Sequence, residues 1–193
     1  MAIDNQNKKG RSINMVETAH NVAFEILADI EQRSFGSTTA PRTEQSGRFW
    51  TGIGFRLNEH RYVAPLKEVA EILQMPHFTK VPGARSWVKG VANIRGTLLP
   101  IMDLHGFLGR KIPATMRRQR VLVVNHKGIN SGIVVDEVLG LQHFEEVERI
   151  EDVQDDETIM PYLSGRFLRG EDEWKVFSPF VLAEHPAFMQ VAL

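Results

Sequence analysis

A chain of 193 residues with 42% apolar content can bury roughly 70% of the surface that its unfolded form exposes, so it supports one sizeable domain or two small ones and is not disordered throughout. The absence of cysteine excludes disulfide scaffolds, thiolate zinc sites and cysteine nucleophiles, and a formal charge of −1 argues against chain-wide attraction to nucleic acid or anionic lipid. No apolar run approaches the roughly 18 to 20 residues that span a bilayer, and MAIDNQNKKGRS lacks the apolar core of a signal peptide, so the expectation is a cytoplasmic protein with no direct membrane insertion.

From Asn14 to Arg33, Met15, Ala19, Val22, Ala23, Ile26, Leu27 and Ile30 recur at three- and four-residue steps, the period of one helical face. Asn14 and Glu17 have the spacing of a reciprocal N-terminal cap. GSTTAPRTEQSG, Gly36 to Gly47, has the composition of a flexible linker. The chain therefore divides into residues 1–47, an amphipathic helix on a tether, and residues 48–193. The helix packs on its own domain or docks on another chain.

Beyond the linker the texture changes to short strands. FWTGIGFRL and HRYVAPL flank Asn58-Glu59 as a hairpin, RVLVVNH and SGIVVDEV (Ser131 to Val138) flank KGIN as a second, and FLRG to EWKVF forms a third with Gly170 to Glu173 as its turn. Closely spaced hairpins favour an antiparallel barrel or sandwich over βαβ units. LKEVAEIL, Leu66 to Leu73, has a mixed period that fits helix or strand. PGARSWVKG predicts a short helix that opens at Pro82 and stops at Gly90.

The most sharply punctuated stretch runs from Trp87 to Gly109. Gly90 and Gly96 allow tight turns at both ends of VANIR, Asn93 tolerates the left-handed region, and together they hold Arg95 on a stiff corner. That arginine is either a structural guanidinium satisfying carbonyls or a recognition residue. TLLPIMDL is apolar at nearly every position, as in a strand buried on both faces, and Pro100 places a bulge or an edge within it.

Catalytic machinery is not evident. None of the seven histidines lies three or four residues from another, so no metal site is expected. The glycines match neither phosphate-binding pattern, no nucleophile elbow occurs, and adjacent Asp136 and Glu137 point to opposite faces of a strand. GRKIPATMRRQR, residues 109–120, reads as a solvated basic loop; the alternative is a nucleic-acid-binding β-barrel using that loop, although aromatics for base stacking are missing. EEVERIEDVQDDE, Glu145 to Glu157, reads as a solvated acidic connector, or as a patch for a basic partner.

GVANIRGTLLPIMDL resembles the signature of CheW-like coupling domains: a glycine, then N-x-R-G, then an apolar strand with proline ending in D-L. The resemblance continues through EVAEIL before it and RVLVVNHKGINSGIVVDEVLGL after it, over roughly Phe49 to His185. The family usually carries D-L-R where this chain has Asp103-Leu104-His105. GIGFR, VAPL, DIEQR and the late FSP are similar to the branch serving type IV pilus twitching motility.

The resemblance implies a mainly β fold, a pair of small five-stranded SH3-like barrels with short helices, preceded by the N-terminal amphipathic helix on its linker. It implies no enzymatic activity and no cofactor. It implies an adaptor that binds the cytoplasmic tip of a methyl-accepting chemotaxis receptor in a groove between the barrels. The adaptor would also bind the regulatory domain of a CheA-like histidine kinase through barrel surfaces, in arrays at the cell pole. By position in the motif, Val69, Glu71, Arg95 and Leu98 would face the receptor, Val69 and Leu98 lending contact area and Arg95 and Glu71 setting orientation. Gly90, Asn93, Gly96, Pro100 and Asp103 would shape the motif's backbone.

Overall fold

The structure, a computed structural model, describes residues 49–111 and 117–190. The stretch Asn14 to Arg33 expected as a helix, and the linker after it, lie outside the described residues.

Ten strands form two five-stranded sheets. The first is built from β1 (Phe49–Leu57), β2 (His60–Pro65), β8 (Glu137–Glu145), β9 (Leu163–Arg169) and β10 (Asp172–Phe177), in the order β8-β1-β2-β10-β9. The second holds β3 (Glu71–Gln74), β4 (Val88–Ile94), β5 (Thr97–Asp103), β6 (Arg120–His126) and β7 (Ile129–Val135), in the order β3-β6-β7-β5-β4. Each sheet contains one parallel pair, β2 with β10 and β5 with β7; the other pairs are antiparallel. The chain thus starts the first sheet, builds the whole of the second, and returns to finish the first.

Both sheets curl until their edges meet. In the first, the Arg169 guanidinium on β9 donates to the Gln142 side chain at 2.8 Å and the His143 carbonyl at 2.7 Å on β8. In the second, Thr79 pairs with Val91 along the outer edge of β4, and Arg95 reaches Glu71 on β3.

The curl explains why several strands lack clean alternation. Along β6 and β7, Val121 and Val134 point into the second sheet's own core with Ala92, Leu99 and Ile101. Their neighbours Leu122, Val124, Ile133 and Val135 point the other way, into a central core shared with Phe55, Leu57 and Tyr62 of the first sheet. Val63, Phe144, Phe167, Trp174 and Val176 fill the first sheet's own core. A strand with apolar surroundings on both faces reads as a continuous apolar run. Each such buried side chain contributes about 1.5 to 3 kcal/mol.

Helix α1 (Leu104–Phe107) follows β5, and α2 (Pro179–Glu184) and α3 (Pro186–Met189) close the chain. Trp87 stacks on Phe188 of α3, with Phe107 edge-on to both.

The hairpin at Asn58-Glu59 stands where the sequence puts it; the one after Arg169 has a tighter turn than expected, Gly170 and Glu171 alone, so that Asp172 and Glu173 already belong to β10. That between β6 and β7 is tighter as well: Lys127 and Gly128, at φ 50° and 80°, make a two-residue turn, so β7 starts at Ile129 rather than Ser131. LKEVAEIL splits into a 3-10 turn, Leu66–Glu68, and β3. The helix expected over residues 82–90 does not form. Pairing with β5 claims Val88–Ile94 as strand, overriding the local proline signal. Gly90 is accordingly no turn: it sits at a register shift inside β4. There, at φ 150°, a Cβ would meet the Thr79 carbonyl oxygen at 2.2 Å, so only glycine permits that backbone approach. Pro100 lies one residue before β5 begins to pair with β7, a local edge where its missing N–H is tolerated.

Candidate functional site

Arg95 and Gly96 are the two residues of the β4–β5 turn, at φ 51° and 87°. Two left-handed residues suit the twist of the flanking strands, and glycine takes the second without strain. Arg95 takes the first at a cost of about 1 kcal/mol. Asn93 stays in its strand; its Oδ1 accepts the Gly96 N–H at 2.8 Å and so braces the turn rather than entering the left-handed region itself.

The turn carries the Arg95 side chain out to 71% exposure, where Nη2 donates to Glu71 Oε1 at 2.8 Å. A guanidinium this exposed, paired with a carboxylate, is not a buried structural cation. Leu98, 68% exposed, sits on β5 just past the turn. Ile72, exposed beside Glu71 on β3, is an apolar neighbour that the sequence reading missed. Val69 is half-buried and packs against the central core. The structure therefore joins Arg95 to Glu71, but Val69 and Leu98 stand in different surroundings rather than in one buried groove.

The end of the motif faces inward. Asp103, 1% exposed, caps α1 by accepting the Gly106 N–H at 3.1 Å and pairs with Lys89 at 3.2 Å. His105 is 1% exposed, with Nε2 at 2.9 Å from both carboxylate oxygens of Asp136. Asp136 in turn accepts the Asn58 N–H at 2.7 Å. The third position of the motif thus ties the second sheet's helix to the first sheet's hairpin, a contact invisible in sequence because its partners are 31 residues apart or more.

Most charged residues described in the two clusters are exposed, as a solvated loop and connector would be, but Arg110 and Asp155 turn inward. Arg110 pairs with Asp156 and approaches Asp155 at 3.7 Å. Asp155 accepts the Tyr62 hydroxyl at 2.6 Å and Lys175 Nζ at 3.0 Å, with both ionic side chains under 10% exposed. Burial pushes the Asp155 carboxyl up, but hydrogen bonds from Tyr62, the Asp156 N–H and Lys175 outweigh it and hold the group below the usual carboxylate range. Burial first, and Asp155 second, push the Tyr62 phenol well above its ordinary value. Arg118 pairs with Glu137 at 3.1 Å, and Arg120 donates to the carbonyls of Gln119 and Arg118. Arg110 and Arg120, held by protein groups, give little to a phosphate backbone, and the nucleic-acid reading is without support.

Among the described residues, no three of His, Asp or Glu are grouped as a metal would require. No helix among them is long and apolar enough to cross a membrane.

The pattern of the CheW-like domain family matches residues 51–183. The chain is 45% identical to Protein PilI of Pseudomonas aeruginosa over 172 residues, covering 88% of this chain and 96% of that one. It is 28% identical to a Chemotaxis protein CheW of Helicobacter pylori over 57% of this chain and 67% of the relative. Its fold matches the scaffolding protein TtCheW of Thermoanaerobacter tengcongensis with a TM-score of 0.64 at 20% identity, covering 72% of this chain and 95% of the other.

Proposed function

The chain belongs to the CheW-like domain family, and from that premise we propose that it is a non-enzymatic adaptor. In this reading it links the cytoplasmic tips of methyl-accepting chemotaxis receptors to a CheA-like histidine kinase and serves type IV pilus twitching motility. The pilus assignment is supported by the 45% identity to PilI, which extends over nearly all of both chains. The division expected from the sequence, residues 1–47 apart from residues 48–193, is kept in this reading.

The observation that carries the adaptor reading is the exposed Arg95–Glu71 pair on a braced turn, with Leu98 open just past that turn. An exposed pair gives modest intrinsic stability. Its geometry is nonetheless preset, because both residues hang from strands of one curled sheet. Such a patch can meet a helical partner by exchanging charge contacts and covering apolar area at an interface of about 800 Å² or less per side. Multivalency in an array then raises the effective affinity.

Co-purification from cells tests the reading. Recovery of a receptor and a histidine kinase is expected; recovery of nucleic acid instead, with affinity falling steeply in salt, would overturn it.

A further inference from the structure

Glu68 is a carboxylate held at 8% exposure, one residue before Val69. Its Oε2 accepts the Ser178 hydroxyl at 2.6 Å and the Phe180 N–H at 3.2 Å. Ser178 caps α2, its Oγ accepting the Val181 N–H at 3.2 Å. Glu68 and the Ser178 hydroxyl therefore make one continuous set of hydrogen bonds with the first turn of α2. The Ser178 N–H donates to the Tyr162 carbonyl at 2.8 Å, which fixes the cap to the body of the protein. The far end of α2 is fixed as well, where Glu184 accepts from His126 and Lys127, each at 2.6 Å; at its start Phe180 stacks on His126 with centroids 4.0 Å apart.

On the other side of Glu68 the chain runs directly to the exposed patch. The Ala70 N–H donates to the Val123 carbonyl at 2.8 Å, and Glu71 opens β3 and meets Arg95. Val69 is thus suspended between the Glu68 contact with α2 and the Ala70 contact with β6. A buried carboxylate costs more to desolvate than an apolar residue of the same volume, so a leucine here would serve packing alone at least as well. What the carboxylate adds is direction: two donors on α2 fix where the main chain passes.

We propose that Glu68 is a positioning residue, through which helix α2 sets the place of Val69 and, two residues on along the chain, of Glu71 at the patch. The proposal rests on the receptor-facing reading of Val69, Glu71, Arg95 and Leu98. It adds that helix α2, distant in sequence from all four, governs how well they engage a partner.

The test uses the full chain and two probes, the helical cytoplasmic tip of a methyl-accepting receptor and the regulatory domain of a CheA-like kinase, with affinities measured by calorimetry. Glu68→Ala is expected to weaken receptor-tip binding about tenfold, within the range by which indirect contacts shift an equilibrium, while kinase-domain binding stays within about twofold. Glu68→Gln keeps a carbonyl acceptor for both donors and should restore most of the affinity. Ser178→Ala should reproduce a several-fold loss for the receptor alone, and amide resonances of Val69 to Glu71 should move in Glu68→Ala and return in Glu68→Gln. If Glu68→Ala fails to fold, Ser178→Ala carries the same comparison. Equal loss of both probes, or no loss of either, overturns the proposal. If Arg95→Glu abolishes receptor binding while Glu68→Ala and Ser178→Ala leave it unchanged, the positioning role falls and the receptor reading stands. If Arg95→Glu itself has no effect, the receptor reading falls first.

Discussion

Two ion pairs of similar length serve opposite ends in this molecule. Lys175 and Asp155 meet at 3.0 Å with both side chains under 10% exposed, while Arg95 and Glu71 meet at 2.8 Å with the guanidinium 71% exposed. Length says nothing of the difference; burial decides it. Inside, neither charge has water to fall back on, so removing one partner leaves the other to longer contacts, Lys175 to Glu173 at 3.6 Å or Asp155 to Arg110 at 3.7 Å. Outside, water screens both, and the pair is free to trade one carboxylate for another.

The sharpest way to test that contrast is Asp155→Ala. It leaves Lys175 with only the longer contact to Glu173 at 3.6 Å, leaves the Tyr62 hydroxyl without its acceptor, and frees Arg110 from one of its two aspartates. A loss of about 3 to 5 kcal/mol is expected, a large share of a typical domain's stability. Thermal melting measures it; a melting temperature within a degree or two of the parent would mean that the buried contacts are dispensable.

Acid should attack the same place. Asp155 and Asp156 both titrate below the usual carboxylate range when folded. For Asp156, desolvation opposes the shift, and hydrogen bonds from Thr158 and Arg110 outweigh it. Groups depressed in this way contribute stability that is present above their unfolded pKa and is lost as pH falls through the folded value. Melting followed from pH 7 downward should therefore hold until the carboxylate range and then decline, and Asp155→Ala should flatten that decline. An equally steep acid limb in the variant would place the sensitive carboxylates elsewhere.

Asp103→Ala is expected to cost less, about 1 to 2 kcal/mol, because the main loss is the cap of a single helical turn. Lys89, with its side chain 16% exposed, can reach water once its partner is gone. Melting of Asp103→Asn, which keeps the cap acceptor and drops the charge, separates the two contributions: recovery of most of the stability would assign the cost to the cap.

The same division between local and distant partners marks what could be read from the sequence. The hairpins were legible because a turn pair and its apolar flanks are neighbours in the chain, and the Arg95 corner was legible from Asn93 and Gly96 for the same reason. The apolar run TLLPIMDL announced burial on both faces, and Leu99 and Ile101 face one core while Met102 faces the other. By contrast, Glu68 and Ser178 lie 110 residues apart, and Arg110 and Asp156 lie 46 apart within runs of like charge. Nothing in either run distinguishes the residue that turns inward. Residues 82–90 misled because the signals at Pro82 and Gly90 are local, whereas the pairing of β4 with β5 that overrides them is not. Glu71 was singled out through family resemblance, and its pairing with Arg95 depends on the curl that brings β3 to the β4–β5 turn.

Arg95→Glu should have the smallest effect on stability and the clearest effect on function. The substitution puts a carboxylate opposite Glu71 on an exposed turn, where like-charge repulsion is screened and the lost pair was worth about 1 kcal/mol or less. Asn93 still accepts the Gly96 N–H, so the turn keeps its brace, and the variant should melt within a few degrees of the parent. Receptor-tip binding should nevertheless vanish in pull-downs, because a guanidinium that oriented a partner's carboxylate has become a charge that repels it. Kinase-domain binding should persist if it uses separate surfaces. Lys67→Glu, an exposed charge on the nearby 3-10 turn, serves as the reversal control and should retain more receptor binding than Arg95→Glu. A variant that melts far below the parent would move Arg95 to the structural side of the contrast with Asp155. One that melts normally and still binds the receptor would leave the exposed pair without the role assigned to it.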